Sequence, residues 1–539
     1  MTAAIAPPAP LDEGLYLALQ ARDARFDGRF FTGVTSTGIY CRPVCRVRTP
    51  KRENCRFFAL AAQAEAAGFR PCLRCRPELA PADPQHAPAM PWSAQDATSI
   101  LGQQAAHLLD TVQTWCPEAF SMARVAARLG VSERHLRRVF EARWGVSPLQ
   151  YLQTRRLLAA KHLLSDTRLP VGQIATLSGF ASVRRFNTAF ASHYRLTPSA
   201  LRQRADQPAT PADPLAGVAC IRLQAAYRPP YDVGAMLAFF AARSLDGIEL
   251  VDCARHTLTR TLALDVAGQP RHGWVQAQFV PTSCSVVLRV SESLAEALPA
   301  VLALCKALLD LDADPQAIDA VLGARFANAA GLRVPGTVDG FELAVRAIVG
   351  QQITVRAART LGVRLSERFG TELPTPWAGL NRLFPSAQAL AGASGDALGQ
   401  LGIVRQRQQA IVALARAVAA GSLQLSAGAD VHSTLRALQA LPGIGPWTAH
   451  YIAMRALRWP DAFPCGDVAL QRALGVHQAP HPAQAAEQAS APWKPWRSYA
   501  VVRAWASLPA ASDPAAAAPV ANSTAPPPAP GAPQGRARR

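Results

Sequence analysis

Apolar residues recur at helical spacing twice between residues 96 and 205. Leu136, Val139 and Phe140 share one face of a predicted helix, and Phe186, Ala189 and Phe190 do the same further on. The likeness extends beyond these faces. Ala126-x3-Gly130 followed by Ser132-Glu-Arg-His-Leu-Arg-Arg-Val-Phe140 returns as Ala175-x3-Gly179 and Ser182-Val-Arg-Arg-Phe-Asn-Thr-Ala-Phe190. Ser147-Pro148 returns as Thr197-Pro198, so the offset is 49 to 50 residues. Each unit predicts a helix, a glycine turn and a second helix. Alternating runs at Thr257–Leu264 and Ser285–Val290 predict strands. From Leu294 to Leu508 the spacing is helical again. The longest apolar helical stretches, near Ala300–Leu311 and Ala410–Ala420, are short and broken by Lys306 and Arg416, so no membrane span is expected.

Pro/Ala-rich segments at 80–90 and Gln207–Leu215 predict linkers, and Pro509–Arg539, also Ala/Pro-rich, predicts a disordered tail. The chain of 539 residues has room for several domains. The expected fold class is multidomain α+β, predominantly α, divided at 8–80, 96–205, 217–295 and 296–510, with a tail at 511–539.

Charge sharpens this picture. The net charge of +19 points to a polyanionic partner, and double-stranded DNA is the expected one. Met1–Ala205 holds 27 Lys/Arg against 14 Asp/Glu, so most of the excess lies there. The outward faces of the repeated second helices carry Arg134, Arg137 and Arg138, then Arg184 and Arg185. Arginines on a helix in the major groove read guanine or clamp phosphate. The N-terminus lacks a basic region followed by an apolar run, so a cytoplasmic, nucleoid-associated protein is expected.

Five of eleven cysteines fall between Cys41 and Cys75. Cys41-x3-Cys45 and Cys72-x2-Cys75 have the paired spacing of a site for one Zn²⁺ with four thiolate ligands. Such a site carries about two net negative charges, which keeps a coordinated sulfur nucleophilic. Cys55 stands outside the pattern. An inert structural zinc site is the bland alternative.

Phe31-Thr-Gly-Val-Thr-Ser-Thr-Gly-Ile-Tyr-Cys-Arg-Pro-Val-Cys45 and Gly68-Phe-Arg-Pro-Cys-Leu-Arg-Cys75 resemble the N-terminal domain of the Ada family. The resemblance implies that Cys41 accepts a methyl group from a DNA methylphosphotriester, with Cys45, Cys72 and Cys75 completing the metal site. The repeated helix pairs resemble an AraC-type DNA-binding domain, which implies contact with RNA polymerase as an activator. No Pro-Cys-His-Arg motif follows, so O6-alkylguanine transfer is not expected.

Tyr227-Arg-Pro-Pro-Tyr-Asp232 resembles the opening of an AlkA-type N-terminal domain. Leu441-Pro-Gly-Ile-Gly445 predicts a turn in which Gly443 and Gly445 adopt angles other residues resist and bring backbone amides to a phosphate. A helix is predicted from Pro446 to about Arg458, with Trp447 and Tyr451 on one face, and Asp467 opens the next helix. With Trp493-Lys-Pro-Trp-Arg-Ser-Tyr-Ala500, this is similar to the helix-hairpin-helix Gly/Pro-Asp superfamily and, within it, to the AlkA-type 3-methyladenine DNA glycosylases.

The resemblance implies an all-α glycosylase domain behind a mixed α/β AlkA N-terminal domain. Asp467 then stabilises an oxocarbenium-like sugar. Trp447, Tyr451 and Trp505 receive a flipped, alkylated base, and Gln352, in Ile348-Val-Gly-Gln-Gln-Ile353, fills the gap in the duplex. Trp447 stands where strand-nicking relatives carry a lysine, which implies a monofunctional enzyme. Neither an organic cofactor nor an iron–sulfur cluster is expected. The competing expectation is a transcription regulator with structural zinc and a silent glycosylase fold.

Overall fold

The computed structural model describes residues 10–82, 97–110, 121–205, 218–266 and 268–508. Residues 83–90, the predicted linker at 207–215 and the predicted tail lie outside the described residues.

The first sheet has the order β3-β1-β2-β4, built from β1 (Phe31–Val34), β2 (Ile39–Cys41), β3 (Cys55–Phe58) and β4 (Arg70–Pro71). β2 pairs antiparallel with β1 and parallel with β4. Cys41 ends β2 and Cys72 follows β4, so this parallel pairing carries the two cysteine pairs to one end of the sheet.

Both predicted helix-turn-helix units form. The first is Met122–Arg128 and Glu133–Trp144, the second Val171–Leu177 and Val183–Tyr194. Their turns need the repeated glycine, because Gly130 and Gly179 have φ of +69° and +81°. The repeated serines start the second helices: Ser132 Oγ accepts from the His135 amide and Ser182 Oγ from the Arg185 amide, each at 3.2 Å. Leu136, Val139, Phe140, Phe186 and Phe190 are buried as their spacing predicts. Truncating one of these phenylalanines to alanine costs about 3–5 kcal/mol. The long helix Pro148–Asp166 joins the units, opened by a Ser147/Gln150 capping box.

The second sheet is antiparallel with order β5-β9-β8-β7-β6, from β5 (Cys220–Ala226), β6 (Glu249–Asp252), β7 (Thr257–Val266), β8 (Gln269–Val280) and β9 (Ser285–Ser291). The first six residues of β7 are buried on both faces, where alternation predicts one. On the face that holds Leu258 and Leu262, Arg260 Nη2 donates to Glu342 Oε2 of the helix Gly340–Val349 at 2.7 Å, and on the opposite face the Thr261 hydroxyl donates to the Arg382 carbonyl at 2.8 Å.

The apolar cores do not follow the sequence-drawn boundaries. Helix Leu298–Leu308 and Leu311 belong to the core of the second sheet, so that core runs past the 295/296 division. The same core takes in Phe186 and Phe190 of the second helix-turn-helix unit. The first unit instead packs with Leu60 and Ala62 of the cysteine-bearing domain. A separate helical core runs from Ile318 to Ala504. Among the described residues, no helix is long and apolar enough to cross a membrane.

Candidate active site and thiolate cluster

The turn Leu441–Gly445 leads into the helix Pro446–Arg455. Only Gly443 needs a glycine conformation, with φ of +75° and its Cβ position 3.2 Å from the Ala410 Cβ. Gly445 has φ of −86° and open space around it, so the expectation of special backbone angles is corrected there. It leaves the surface bare of side chain at the start of the helix. The helix also ends earlier than the predicted Arg458, which has φ of +58° ahead of Trp459-Pro460.

Asp467 caps the helix Val468–Leu474, its Oδ1 accepting from the Leu470 amide at 2.7 Å. Two indoles donate to the same carboxylate: Trp447 Nε1 to Oδ2 at 2.8 Å and Trp505 Nε1 to Oδ1 at 3.3 Å. Trp447 and Tyr451 are stacked, 5.4 Å apart and 10° from parallel, and Trp505 lies 6.4 Å from Tyr451. The four side chains therefore meet, and all line one cavity of about 510 Å³. Capping and an inward-facing carboxylate coexist in one residue.

Sequence reasoning missed the rest of this cavity. Phe239 and Arg243, from helix Val233–Arg243, form part of its wall, and Arg455 reaches it from one turn beyond Tyr451. The i,i+4 spacing of Tyr451 and Arg455 was a usable signal; Phe239 and Arg243 come from another domain and gave none. Behind them, Arg346 Nη1 donates to Glu249 at 3.1 Å and to Glu342 at 2.8 Å, and both carboxylates also pair with Arg260. Burial pushes Glu342 up, but Arg260 and Arg346 outweigh it and hold it down. Asp339, which caps this helix, is pushed up to about 6 by burial and by Glu342. His450 accepts from the Phe463 amide at Nδ1, 3.3 Å away, which suits packing.

Gln352 is exposed and has φ of +55°, a conformation that costs a non-glycine residue about 1–2 kcal/mol. Its neighbour Gln351 ties the loop to the hairpin, donating from Nε2 to the Gly443 carbonyl at 3.0 Å and to Thr448 Oγ1 at 2.9 Å. Arg134, Arg137, Arg138, Arg184 and Arg185 are all exposed. Arg137 is partly engaged by Glu141 at 2.8 Å, and Arg138 contacts His135 at 3.1 Å.

The sulfurs of Cys41, Cys45, Cys72 and Cys75 lie within 4.8 Å of one another, and Cys75 is the most exposed of them. Crowding divides the thiols. Hydrogen bonds from the other three push Cys41 up, and Cys41, Cys45 and Cys75 pull Cys72 down. A divalent cation relieves such crowding, and four sulfurs at this separation fit Zn²⁺. Cys55 stands apart, its thiol donating to the Lys51 carbonyl at 3.3 Å.

Comparison with known proteins matches each part. Residues 15–78 match the family model for the metal binding domain of Ada, and 125–204 a helix-turn-helix domain. Residues 220–339 match the AlkA N-terminal domain, and 345–498 the HhH-GPD superfamily of base excision DNA repair proteins. The chain is 37% identical over 504 residues to the "Probable bifunctional transcriptional activator/DNA repair enzyme AlkA" of Mycobacterium tuberculosis, covering 92% of this chain and 96% of that one. It is 38% identical over 291 residues to DNA-3-methyladenine glycosylase 2 of Escherichia coli, covering 52% of this chain and 95% of the relative. It is 31% identical over 186 residues to the bifunctional transcriptional activator/DNA repair enzyme AdaA of Bacillus subtilis, covering 34% and 80%. The chain belongs to the family of bifunctional transcriptional activator/DNA repair enzymes in which an Ada-type metal domain and a helix-turn-helix regulator are joined to an AlkA-type glycosylase, serving DNA alkylation repair and its regulation.

Proposed function

We propose that the helical half is a monofunctional glycosylase that hydrolyses the N-glycosidic bond of alkylated bases of the 3-methyladenine type. The observation that carries this reading is the Asp467 carboxylate, fixed by two indole N–H groups on the wall of a cavity lined by those same rings. A base inside the duplex is out of reach, so it must be flipped. A base alkylated on a ring nitrogen is cationic, is attracted by Trp447, Tyr451 and Trp505, and leaves as a neutral molecule without a general acid. As the bond to C1′ breaks, positive charge builds on the sugar and Asp467 stabilises it. Water then adds at C1′. None of the described residues lining the cavity is a lysine, which supports hydrolysis without a Schiff base. Gly443 and Gly445 hold a backbone phosphate, and Gln352 fills the vacated stack.

The metal domain accepts a methyl group at Cys41. A sulfur–carbon bond forms, the oxygen–carbon bond of a neutral phosphotriester breaks, and a phosphodiester leaves with its negative charge. The site loses one negative charge and repels DNA less, which favours operator binding by Arg134, Arg137, Arg138, Arg184 and Arg185. One zinc ion held by Cys41, Cys45, Cys72 and Cys75 keeps the thiolates ionised. The activated protein works in the cytoplasm, on the nucleoid, and engages RNA polymerase.

Two assays test this reading. Duplex DNA carrying 3-methyladenine should release free base and retain an uncut abasic strand; strand scission by the protein alone would contradict the monofunctional assignment. Mass spectrometry after exposure to methylphosphotriester DNA should find one added methyl on Cys41, and an unmodified peptide would leave the zinc site purely structural.

A further inference from the structure

The inner end of the cavity is more basic than a receptor for cationic rings should be. Arg455 is only 7% exposed. Its Nε and Nη2 donate to the carbonyls of Pro335 and Gly336 at 2.7 and 3.0 Å, and its Nη1 donates to the Tyr451 hydroxyl oxygen at 2.6 Å. Arg243 lies over the Phe239 ring at 3.9 Å, and Arg455 lies 4.8 Å from that ring. Arg346 shares Glu249 and Glu342 with Arg260. Arg243 and Arg455, by contrast, have no carboxylate within ion-pair distance among the described residues. A buried cation without an anion is unfavourable, and two would repel a positively charged base.

The acidic proton next to both guanidiniums is that of Tyr451. We propose that Tyr451 is their counter-ion: its phenolic proton passes to solvent, and the phenolate offsets enough of their charge to admit a cationic base. The substrate role rests on the base-pocket reading above; the ionisation does not.

The guanidiniums facing this oxygen favour the charged form, and Glu342 is already paired with Arg260 and Arg346. Arg455 comes from its own helix, Arg243 from Val233–Arg243, and Arg346 with Glu342 from Gly340–Val349. Asp467, at the start of Val468–Leu474, is turned toward the two indoles. Helix Arg497–Ala506 contributes the neutral Trp505. Other buried tyrosines behave oppositely. Burial pushes Tyr231 well up, and burial with Asp310 does the same at Tyr499. At Tyr451 burial also pushes up, but Arg455 and Arg243 outweigh it and hold the phenol below its ordinary value. The crowding is mutual: burial, Arg455 and Arg346 lower Arg243, while Tyr451 supports its charge.

The test uses the full-length protein. The ultraviolet tyrosinate band is followed from about pH 6 to 10, the range below ordinary tyrosine ionisation. One tyrosine should ionise well before the others, vanish in Tyr451→Phe, and move up in Arg243→Met. Base release is then compared across the same range for 3-methyladenine, which is cationic in DNA, and hypoxanthine, which is neutral. Tyr451→Phe should lose about tenfold in kcat/KM on the cationic lesion and much less on the neutral one. A Tyr451 that ionises with the other tyrosines overturns the proposal, and so do equal losses on both lesions. An early-ionising Tyr451 in a protein that releases neither base would uphold the counter-ion and overturn its substrate role.

Discussion

At Asp467 one carboxylate is bound three ways, by a backbone amide and by two indoles. Hydrogen bonds to charged groups contribute about 1.5–3 kcal/mol each, so the indoles fix the carboxylate on the cavity wall, where the proposed mechanism needs it against the developing sugar charge. Trp447→Phe keeps the ring and removes the shorter bond. Its kcat for 3-methyladenine release should fall by about tenfold or more, with little change in melting temperature; unchanged kcat would reduce Trp447 to a stacking surface. Trp447 and Tyr451 were legible as one helix face from their i,i+4 spacing and Asp467 as a cap, while their joining in one site was legible through the family resemblance. Phe239 and Arg243 were not, because residues brought in by another domain leave no local pattern. The arginine pair on Tyr451 depends on that meeting of domains.

At the scale of elements, the hairpin and the loop of Gln352 act together. Gln351 ties the loop to the Gly443 carbonyl, and Gln352 is held outward in a left-handed conformation. The two hairpin glycines separate structure from contact. Gly443→Ala should destabilise the protein by about 1–2 kcal/mol, from its positive φ, and the clash with Ala410 adds to this. Gly445→Ala should leave stability unchanged and weaken binding to abasic DNA. Thermal melts and DNA titrations of both variants check this; a destabilised Gly445→Ala would contradict it. Helices, turns and the two predicted strands were readable because spacing and caps are local. The double burial of β7 was not, because the groups that meet its two faces, Glu342 at Arg260 and the Arg382 carbonyl at Thr261, come from far along the chain. The early end at Arg455 was obscured by the apolar residues that continue past it.

Across the whole molecule, ion pairs join the metal domain to the regulator. Glu65 accepts from Tyr40, the neighbour of Cys41, at 2.9 Å, and pairs with His193 on the helix Val183–Tyr194 at 2.6 Å. Glu78 pairs with Lys161, and Arg76 with Asp166 at 2.5 Å. Burial lowers His193, but pairing with Glu65 outweighs it and the imidazole stands above its ordinary value. A raised histidine stabilises docking fully below its unfolded value of about 6.5, and that contribution is lost as pH rises through the folded value. The melting temperature should therefore decline over that window, and His193→Gln should flatten the decline; an unchanged slope would rule the pair out as its source. This interlocking explains why domain order was legible and core boundaries were not: composition marks a linker but not which core a helix joins. The most direct test of the central claim is single-turnover release of 3-methyladenine by Asp467→Asn. Asparagine still caps the helix, so the account predicts a folded protein that binds abasic DNA normally and releases base at least about a hundredfold more slowly. Base release at the wild-type rate would contradict it.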